Sequence, residues 1–195
     1  MRIVSGSYRG RRLKTLSGGA LRPTSDQVRE TIFDVIGERI RGASFLDLYA
    51  GSGAVGLEAL SRDADRVVFV EHHRPAAEVI RQNLAALEIR SGFRVIVSTT
   101  ETAIGRLASE GEKFDFIFLD PPYAEIGEYH FTLRACSRSG ILAPAAYLLA
   151  EHSRHCRLED QYGLLIRSRL LRHGDSQLSI YRVSNPDPRT VVSPI

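Results

Sequence analysis

Two short stretches of this sequence contain residue types that could hold a nucleotide and act on a second molecule. The first, DLYAGSGAVG, has Gly51, Gly53 and Gly56 in G-x-G-x-x-G spacing, with Asp47 just ahead of them. Glycines at this spacing allow a backbone to approach a nucleotide closely at the start of a helix. The second stretch, DPPY at 120–123, directly follows the apolar run FDFIFL. Together they suggest a nucleotide cofactor beside a second substrate.

Asp47 indicates which nucleotide the glycines would hold. A dinucleotide would place its pyrophosphate over the glycine loop, where a carboxylate would repel it. S-adenosylmethionine has no phosphate, and its ammonium and sulfonium groups would be attracted to an acid. Glu71 stands 20 residues after Gly51 and could accept ribose hydroxyls of either ligand. Asp47 therefore favours S-adenosylmethionine, and the alternative is that Asp47 only hydrogen-bonds the loop backbone.

The DPPY stretch suits an amine as the second substrate. The exocyclic amine of a nucleobase is a poor nucleophile because its lone pair is delocalised into the ring. The Asp120 carboxylate and the Pro121 carbonyl would accept its N–H groups and turn the lone pair outwards. Pro121 and Pro122 would stiffen the loop, and Tyr123 would stack on the base. The alternative is an ordinary Asp-Pro turn after a strand.

The rest of the chain predicts the elements that position these residues. Strand patterns at 44–49, 66–71, 93–98, 114–119 and 145–151 alternate with helical patterns at 54–61, 75–87, 101–109 and 128–137. Such alternation predicts a doubly wound α/β fold with a mostly parallel sheet. Segments 163–172 and 177–183 flank the turn HGDS, which predicts an antiparallel hairpin at the sheet edge. Because ligands of such sheets bind beyond the carboxyl ends of the strands, Asp47 and Asp120 should face one pocket.

The positive charge is concentrated near the N-terminus. The first 30 residues contain seven Arg or Lys and two acids, a net charge of +5, so the remainder carries −2 of the total +3. Residues 2–4 and 12–16 predict a hairpin, and a capping box at Thr24 and Gln27 predicts a helix after it. The basic segment suits phosphate contacts with nucleic acid, or it is a solvated basic face.

Other functional classes receive little support from the sequence. No apolar run approaches the length of a membrane span, and the N-terminus lacks the apolar stretch of a secretory signal. We therefore expect a cytoplasmic protein with Cys136 and Cys156 as reduced thiols. His152, His155 and Cys156 are of metal-binding types, but they lack a second ligand pair, so no metal is expected.

These residues resemble the class I S-adenosylmethionine-dependent methyltransferases with an (N/D)PP(Y/F) motif. The closer resemblance is to the bacterial 16S ribosomal RNA guanine-N2 methyltransferases of the RsmD type. It extends to about residue 183 through RIVSGSYRGRRL, LRPTSDQVRETIFDVI, LDLYAGSGAVGLEALSR, VVFVE, FLDPPY and HGDSQLSIYR. Many methylases share the glycine loop and DPPY, whereas the N-terminal segments are specific to this family.

The resemblance implies a Rossmann-like sheet of seven strands and an expected division of the chain into three parts. Residues 1–40 would form a basic hairpin and helix extension, 41–183 the methyltransferase domain and 184–195 a loose tail. The reaction would methylate the N2 amine of one guanine in 16S ribosomal RNA, by resemblance guanine 966. The substrate would be the assembled or assembling small ribosomal subunit, and we expect the enzyme to be a monomer.

The resemblance also implies the site residues. S-adenosyl-L-methionine would contact Asp47, Tyr49, Gly51, Gly53, Glu71, Thr102 and Ala103. The target base would lie at Asp120, Pro121, Pro122 and Tyr123. The RNA would be held by Arg9, Arg11, Arg12, Lys14, Arg22, Thr24, Ser25 and Arg29.

The chain departs from the family pattern at two positions. Many relatives carry Asp or Asn before the third helix to contact the adenine amine, but here Thr102 stands in that place. The backbone of Ala103 or the side chain of Glu101 could replace that contact. Asp63 stands where S-R-G-A is usual, and we expect it to affect only a turn after a helix.

Alternative functions remain open on the residues alone. A DNA adenine or cytosine amino-methyltransferase shares DPPY but usually adds a target-recognition domain. A protein-glutamine methyltransferase uses a similar loop but would not need a basic N-terminus. Two alternatives belong to other classes: a non-catalytic nucleic-acid-binding module and an oxidoreductase that binds a dinucleotide.

Overall fold

A computed structural model of the chain describes residues 1–16, 25–122 and 126–184. The helices are α1 (Asp26–Ile36), α2 (Ala54–Ser61), α3 (Arg74–Ala86), α4 (Thr100–Ser109) and α5 (Ile126–Ser139). The strands are β1 (Ser44–Leu48), β2 (Arg66–Glu71), β3 (Phe93–Val97), β4 (Phe114–Leu119), β5 (Leu142–Ser153), β6 (Gln161–Tyr162), β7 (Leu165–His173) and β8 (Ser176–Val183). A short 3-10 helix, Gly37–Ile40, follows α1.

The eight strands of the described residues form one sheet in the order β3-β2-β1-β4-β5-β8-β7-β6. The first five strands are parallel, and the last three pair antiparallel. The predicted doubly wound α/β class and the edge hairpin are therefore confirmed. His173 pairs with Ser176 across a two-residue turn, as HGDS predicts. The sheet has eight strands instead of seven because Gln161–Tyr162 adds a very short strand at the edge.

Side chains of the central strands alternate between two apolar layers. Phe45 and Phe69 lie in the layer covered by α1, α2 and α3, whereas Leu46 and Val70 lie in the layer covered by α4 and α5. All four side chains are almost fully buried. Burial on both faces accounts for the near-continuous apolar strands of the sequence, since each such side chain contributes about 1.5–3 kcal/mol when it leaves water.

The N-terminal residues form a ribbon, residues 1–16, which lies against the main domain. Its two arms are joined by the bridge between Arg2 and Arg12, so the predicted hairpin is less regular than the sequence suggests. Ile3 and Leu13 are buried in the same apolar layer as α1, α2 and α3. The ribbon therefore shares the core of the sheet, while the predicted boundary at residue 40 stays a prediction.

Helix α1 begins at a different residue from the one predicted. Ser25 has an extended backbone, and its Oγ accepts a hydrogen bond from the Val28 amide at 3.2 Å. Ser25 is therefore the N-cap, because its hydroxyl satisfies an amide in the first turn that has no helical partner. Thr24, the predicted cap, lies outside the described residues, as does 185–195 of the predicted tail.

Two kinds of feature are absent from the described ranges: helices able to cross a membrane and clusters of metal ligands. In residues 1–16, 25–122 and 126–184, no helix is long and apolar enough to cross a membrane. Over the same ranges, no three His, Cys, Asp or Glu residues cluster as metal ligands would. His152 is instead buried, with its Nε2 2.8 Å from the Ser179 hydroxyl. Cys136 and Cys156 are free and buried, and burial raises the pKa of Cys136 to about 12.

The packing of α2 on β2 leads to a prediction about Gly56. A Cβ at this position would lie 2.3 Å from Cε1 of the buried Phe69 ring. We expect Gly56→Ala to lower the free energy of unfolding by about 1–3 kcal/mol, because the core would be overpacked. The control is Gly105→Ala in α4, where a Cβ would lie, beyond the backbone of its own helix, more than 4 Å from the other residues that the structure describes. This control should raise the free energy of unfolding by up to about 1 kcal/mol, since Ala is the better helix former. Denaturant unfolding measures both, and equal effects would contradict the packing explanation.

Candidate active site

The carboxyl ends of β2, β1 and β4 are aligned with one another. Leu48, the last residue of β1, pairs with Val70 on one side and with Leu119 on the other. The residues that follow these three form one row: Tyr49, Glu71 and Asp120. Neighbouring strands are about 4.8 Å apart, and β1 lies between β2 and β4. The backbones at Glu71 and Asp120 are therefore about 10 Å apart. The strand order reverses between β1 and β4, which is where doubly wound sheets bind their ligands.

The loop after β1 has a left-handed backbone at three positions. The φ angles are 63° at Tyr49, 56° at Gly51 and 79° at Gly53. Glycine adopts this conformation freely, but a residue with a Cβ pays about 1–2 kcal/mol. The positive φ turns Tyr49 away from the face that Asp47 occupies and towards α5. There its hydroxyl donates to Glu128 at 3.0 Å and lies 2.7 Å from the Thr132 hydroxyl.

Two amides of the glycine loop are already used within the protein. The Gly51 amide donates to Glu71 Oε2 at 2.8 Å, and the Gly53 amide donates to the Ala50 carbonyl at 2.7 Å. Loops that bind a pyrophosphate direct such amides at phosphate oxygens instead. Because these amides are engaged and a carboxylate lies beside them, the loop fits a cationic nucleoside without phosphate better than a dinucleotide.

Asp47 lies beneath the loop, and its side chain is almost fully buried. Its Oδ2 accepts from the Gly56 amide in the first turn of α2 at 2.9 Å. Burial raises the pKa of Asp47 to about 7, with the charge of Glu71 adding to the shift and the Gly56 bond opposing it. The structure thus gives Asp47 the backbone contact that the sequence left as the alternative. A contact between Asp47 and the cofactor stays a prediction.

Glu71 accepts hydrogen bonds from two backbone amides at the edge of the candidate site. Its Oε2 accepts from Gly51, and its Oε1 accepts from the His73 amide at 2.7 Å. The side chain is 5% exposed, so it lies at the boundary of the core. The Nδ1 atom of His72 also lies 3.4 Å from Oε1. A carboxylate has about four acceptor positions, so these contacts leave at least one position for a ligand. Glu71 can therefore stabilise the loop and still accept a hydroxyl group.

The segment after β4 is anchored by a buried tyrosine of α5. Asp120 is half-buried, Pro121 is buried and Pro122 is exposed. The Tyr129 hydroxyl donates to the Pro121 carbonyl at 3.0 Å. Since a carbonyl oxygen has two lone pairs, one remains for the predicted bond to an amine. Tyr123 lies outside the described residues.

The predicted adenine contacts lie in the first turn of α4. The Ala103 amide donates to the Thr99 carbonyl at 3.0 Å, so it takes part in the helix. Thr99 caps the helix, and its hydroxyl lies 3.0 Å from that of Thr102. Ala103 is buried, whereas the side chains of Thr102 and Glu101 are exposed. An adenine contact in this turn stays a prediction, and these two side chains are its accessible polar groups.

Asp63 lies in the turn after α2, as its position in the sequence predicts. Its φ is 68°, in the left-handed region. Glycine adopts this conformation without strain, which gives the physical reason for the glycine of S-R-G-A. The substitution therefore affects the turn after α2, as expected.

The predicted RNA contacts differ in how far the structure exposes them. Arg9, Arg11, Arg12 and Lys14 of the ribbon are exposed. Arg11 donates to the Ala86 carbonyl at 2.6 Å and Lys14 to Gln82 Oε1 at 3.2 Å, so both also hold the ribbon on α3. Ser25 is exposed and caps α1. Arg22 and Thr24 lie outside the described residues.

The predicted RNA contact is wrong for Arg29, because this side chain is buried. Its side chain is 0% exposed, and its Nη2 donates to the Arg2 carbonyl at 2.7 Å and to Asp26 at 2.8 Å. Burial is the main cause that lowers the pKa of this guanidinium. Arg29 therefore joins α1 to the ribbon and does not present a charge to solvent.

Two surface cavities lie away from this row of residues. One, of about 600 Å³, lies along the outer face of α5 and is lined by His130, Phe131 and Arg134 among others. The other, of about 580 Å³, lies at the amino ends of β4 and β5. Neither is lined by Glu71 or Asp120, so the candidate site rests on the aligned strand ends and not on cavity volume.

Comparison with known proteins assigns the chain to a family. The model of the family described as "Conserved hypothetical protein 95" matches residues 1–182. The chain belongs to this family.

A relative from Bacillus subtilis (strain 168), "Putative rRNA methyltransferase YlbH", is 37% identical over 182 residues, which cover 93% of this chain and 98% of the relative. The resemblance to the RsmD type is confirmed by "Ribosomal RNA small subunit methyltransferase D" of Escherichia coli (strain K12). It is 38% identical over 151 residues, 77% of this chain and 74% of that protein.

A solved structure of the same type agrees with the fold. "Putative methyltransferase yhhF from Escherichia coli" superposes with a TM-score of 0.82 at 29% identity. The match covers 94% of this chain and 98% of the other. The Rossmann-like methyltransferase fold implied by the glycine loop and DPPY is therefore confirmed.

This member of the family also contains buried polar residues that the sequence analysis missed. Asn83 of α3 accepts from the Lys14 amide at 2.8 Å and donates to the Lys14 carbonyl at 3.0 Å and the Ser52 carbonyl at 3.1 Å. Glu58 of α2 accepts from the Val4 and Ser5 amides at 2.8 Å each. Asn83 thus joins the ribbon to the glycine loop, and Glu58 joins it to α2. The signal in the sequence was a polar residue on an apolar helix face, which requires buried partners.

The raised pKa of Asp47 predicts how stability depends on pH. Its pKa of about 7 lies above the ordinary value of 3.8, so the unfolded chain releases this proton at lower pH. The contribution of Asp47 to stability is therefore fully present below about pH 4 and is lost as pH rises through about 7. Asp47→Asn retains an acceptor for Gly56 but cannot ionise. Relative to wild type, this variant should become more stable as pH rises from about 4 to about 8.

Denaturant unfolding across that pH range measures the difference. The control is Asp34→Asn, because Asp34 is an exposed residue of α1. Parallel stability curves for the wild type and Asp47→Asn would contradict the assignment of a raised pKa to this carboxyl.

Proposed function

We propose that this protein transfers a methyl group from S-adenosylmethionine to the exocyclic N2 amine of a guanine in 16S ribosomal RNA. The observation that carries the proposal is the row of residues at the carboxyl edge of the sheet. In that row a glycine loop held by Glu71 lies one strand away from Asp120. The names of relatives at 37% and 38% identity support ribosomal RNA as the substrate class.

The residues of the glycine loop suit the proposed methyl donor. When bound, the donor supplies an electrophilic methyl group on a sulfonium. Among residues 1–16, 25–122 and 126–184, nothing beyond its own chain neighbours lies within 4 Å of a Cβ built at Gly51, so these residues leave space for a ligand on that side of the loop. The remaining acceptor capacity of Glu71 would bind a ribose hydroxyl. Burial raises the pKa of Tyr49, so its hydroxyl stays protonated and neutral beside a cationic ligand.

Asp120 and Pro121 would orient the amine. The Asp120 carboxylate and the free lone pair of the Pro121 carbonyl would each accept one N–H, which turns the nitrogen lone pair outwards. The nitrogen would form its bond to the methyl carbon as the carbon–sulfur bond breaks with its electrons left on sulfur, and Asp120 would take the surplus proton afterwards. Orientation of reacting groups can supply about 7–11 kcal/mol, so we assign the larger share of the rate acceleration to positioning.

The ribbon would supply the electrostatic attraction for RNA. Arg9 and Arg12 are exposed, and Glu58 and Asn83 fix the backbone of the ribbon on the domain. Each phosphate that such residues neutralise adds to the salt dependence of binding. The ribbon would therefore hold RNA phosphates at a fixed position relative to the glycine loop, because Asn83 contacts both.

The decisive test is transfer of labelled methyl groups to small ribosomal subunits from cells that lack this activity. The wild type should label 16S ribosomal RNA, and mass spectrometry should locate the methyl group on the N2 of a guanine. Asp120→Ala should lower kcat about 100-fold or more while it still binds S-adenosylhomocysteine. The control Asp34→Ala should retain full activity. Normal incorporation by Asp120→Ala would remove Asp120 from the mechanism, and label in DNA or protein instead would favour the alternative methylases.

The choice of cofactor has a test of its own. Calorimetry should detect binding of S-adenosylhomocysteine and much weaker binding of NAD, because the Gly51 and Gly53 amides are engaged and Glu71 would repel a pyrophosphate. NAD that binds as tightly as S-adenosylhomocysteine would contradict the proposal and favour an oxidoreductase.

A further inference from the structure

The first two turns of α5 contact both loops of the candidate active site. Tyr49 of the glycine loop donates to Glu128 at 3.0 Å and lies 2.7 Å from the Thr132 hydroxyl. Between those two residues, Tyr129 donates to the Pro121 carbonyl at 3.0 Å. The two loops are contributed by β1 and β4, which are adjacent in the sheet. Helix α5 is therefore a common support that sets one loop relative to the other.

The packing of α5 makes this support rigid. Tyr129, Leu133 and Cys136 are all 0% exposed and belong to one apolar layer. The Tyr129 ring meets the buried His152 edge-on, with ring centroids 6.2 Å apart. Interiors are close-packed, so the ring of Tyr129 cannot move without displacing its neighbours. Its hydroxyl is thus held at a fixed point beneath the Pro121 carbonyl.

Pro121 depends on this contact more than another residue would. A proline has no amide hydrogen, so the carbonyl is the backbone group through which Pro121 itself can be hydrogen-bonded. The direction of the Pro121 carbonyl also determines where its second lone pair points. In the proposed function this lone pair accepts an N–H of the amine. The hydroxyl of Tyr129 therefore acts on the amine through Pro121, without contact with the substrate.

We propose that Tyr129 is a positioning residue for methyl transfer: its hydroxyl fixes the Pro121 carbonyl and hence the place of the amine relative to the methyl donor. This inference rests on the proposed function. In the proposed reaction the nitrogen lone pair would form the N–C bond while the C–S bond breaks. The electrons of that bond would remain on sulfur, and the amine proton would then pass to Asp120. Such a transfer needs nitrogen, carbon and sulfur in line, and a displacement of about 1 Å lowers the rate about 100-fold.

The chain offers a matched pair of variants, Tyr129→Phe and Tyr181→Phe. Both rings are 0% exposed, and each hydroxyl donates to a backbone carbonyl, Pro121 at 3.0 Å and Glu159 at 2.8 Å. Tyr181 lies in β8, away from the row of Tyr49, Glu71 and Asp120. Each substitution removes a buried hydrogen bond to a backbone carbonyl and keeps the ring, so the two variants should lose similar stability. Only Tyr129→Phe should affect the chemistry.

The experiment measures kcat and KM for methyl transfer to small ribosomal subunits, with active sites counted by titration with S-adenosylhomocysteine. Tyr129→Phe should lower kcat about 10- to 100-fold and leave the KM for S-adenosylmethionine within about 2-fold. Tyr181→Phe should have the kcat of the wild type. Thermal unfolding of both variants verifies that each is folded at the assay temperature.

Three results would overturn the inference. An unchanged kcat in Tyr129→Phe, with an active wild type, would refute it and leave the proposed function standing. Equal losses of kcat in both variants would assign Tyr129 a general structural role. Absence of methyl transfer by the wild type would overturn the proposed function, and this inference with it.

Discussion

The hydrogen bond from the Gly51 amide to the Glu71 carboxylate is the interaction on which the candidate site depends. It joins the end of β2 to the loop after β1, and so it fixes a backbone that is left-handed at Tyr49, Gly51 and Gly53. The strained Tyr49 is further held by its bonds to α5. Because this bond uses a loop amide and places a carboxylate beside the loop, it also disfavours a phosphate-bearing ligand.

Three other buried polar side chains bind backbone groups of neighbouring segments. Asp47 binds the first turn of α2, Glu58 binds the ribbon, and Asn83 binds both the ribbon and the glycine loop. A buried polar group is stable only when its partners are in place, so each of these bonds specifies one arrangement of its segments. The ribbon, the glycine loop and α3 therefore form one mechanical unit around the site.

The acid that would attract a cationic cofactor is Glu71 rather than Asp47. The sequence places Asp47 nearest the glycines, yet burial raises the pKa of Asp47 to about 7, so it is only partly charged near neutral pH. Glu71 stands at the edge of the core with unused acceptor capacity, and it touches the loop directly. In the proposed function, Glu71 would therefore supply the attraction for a cation that the spacing alone suggested for Asp47.

Apolar periodicity by itself determined the alternation of strands and helices, and motif spacing determined which loops, after β1 and β4, contain the candidate chemistry. Both signals are local, since they depend on side chains a few residues apart. The tertiary structure alone decided that Arg29 is buried and that Tyr129 and Asn83 support the site. Asn83 meets a backbone 69 residues away and Arg29 one 27 residues away. A polar residue on an apolar helix face indicates burial, but its partner depends on packing between distant segments, which no local pattern encodes.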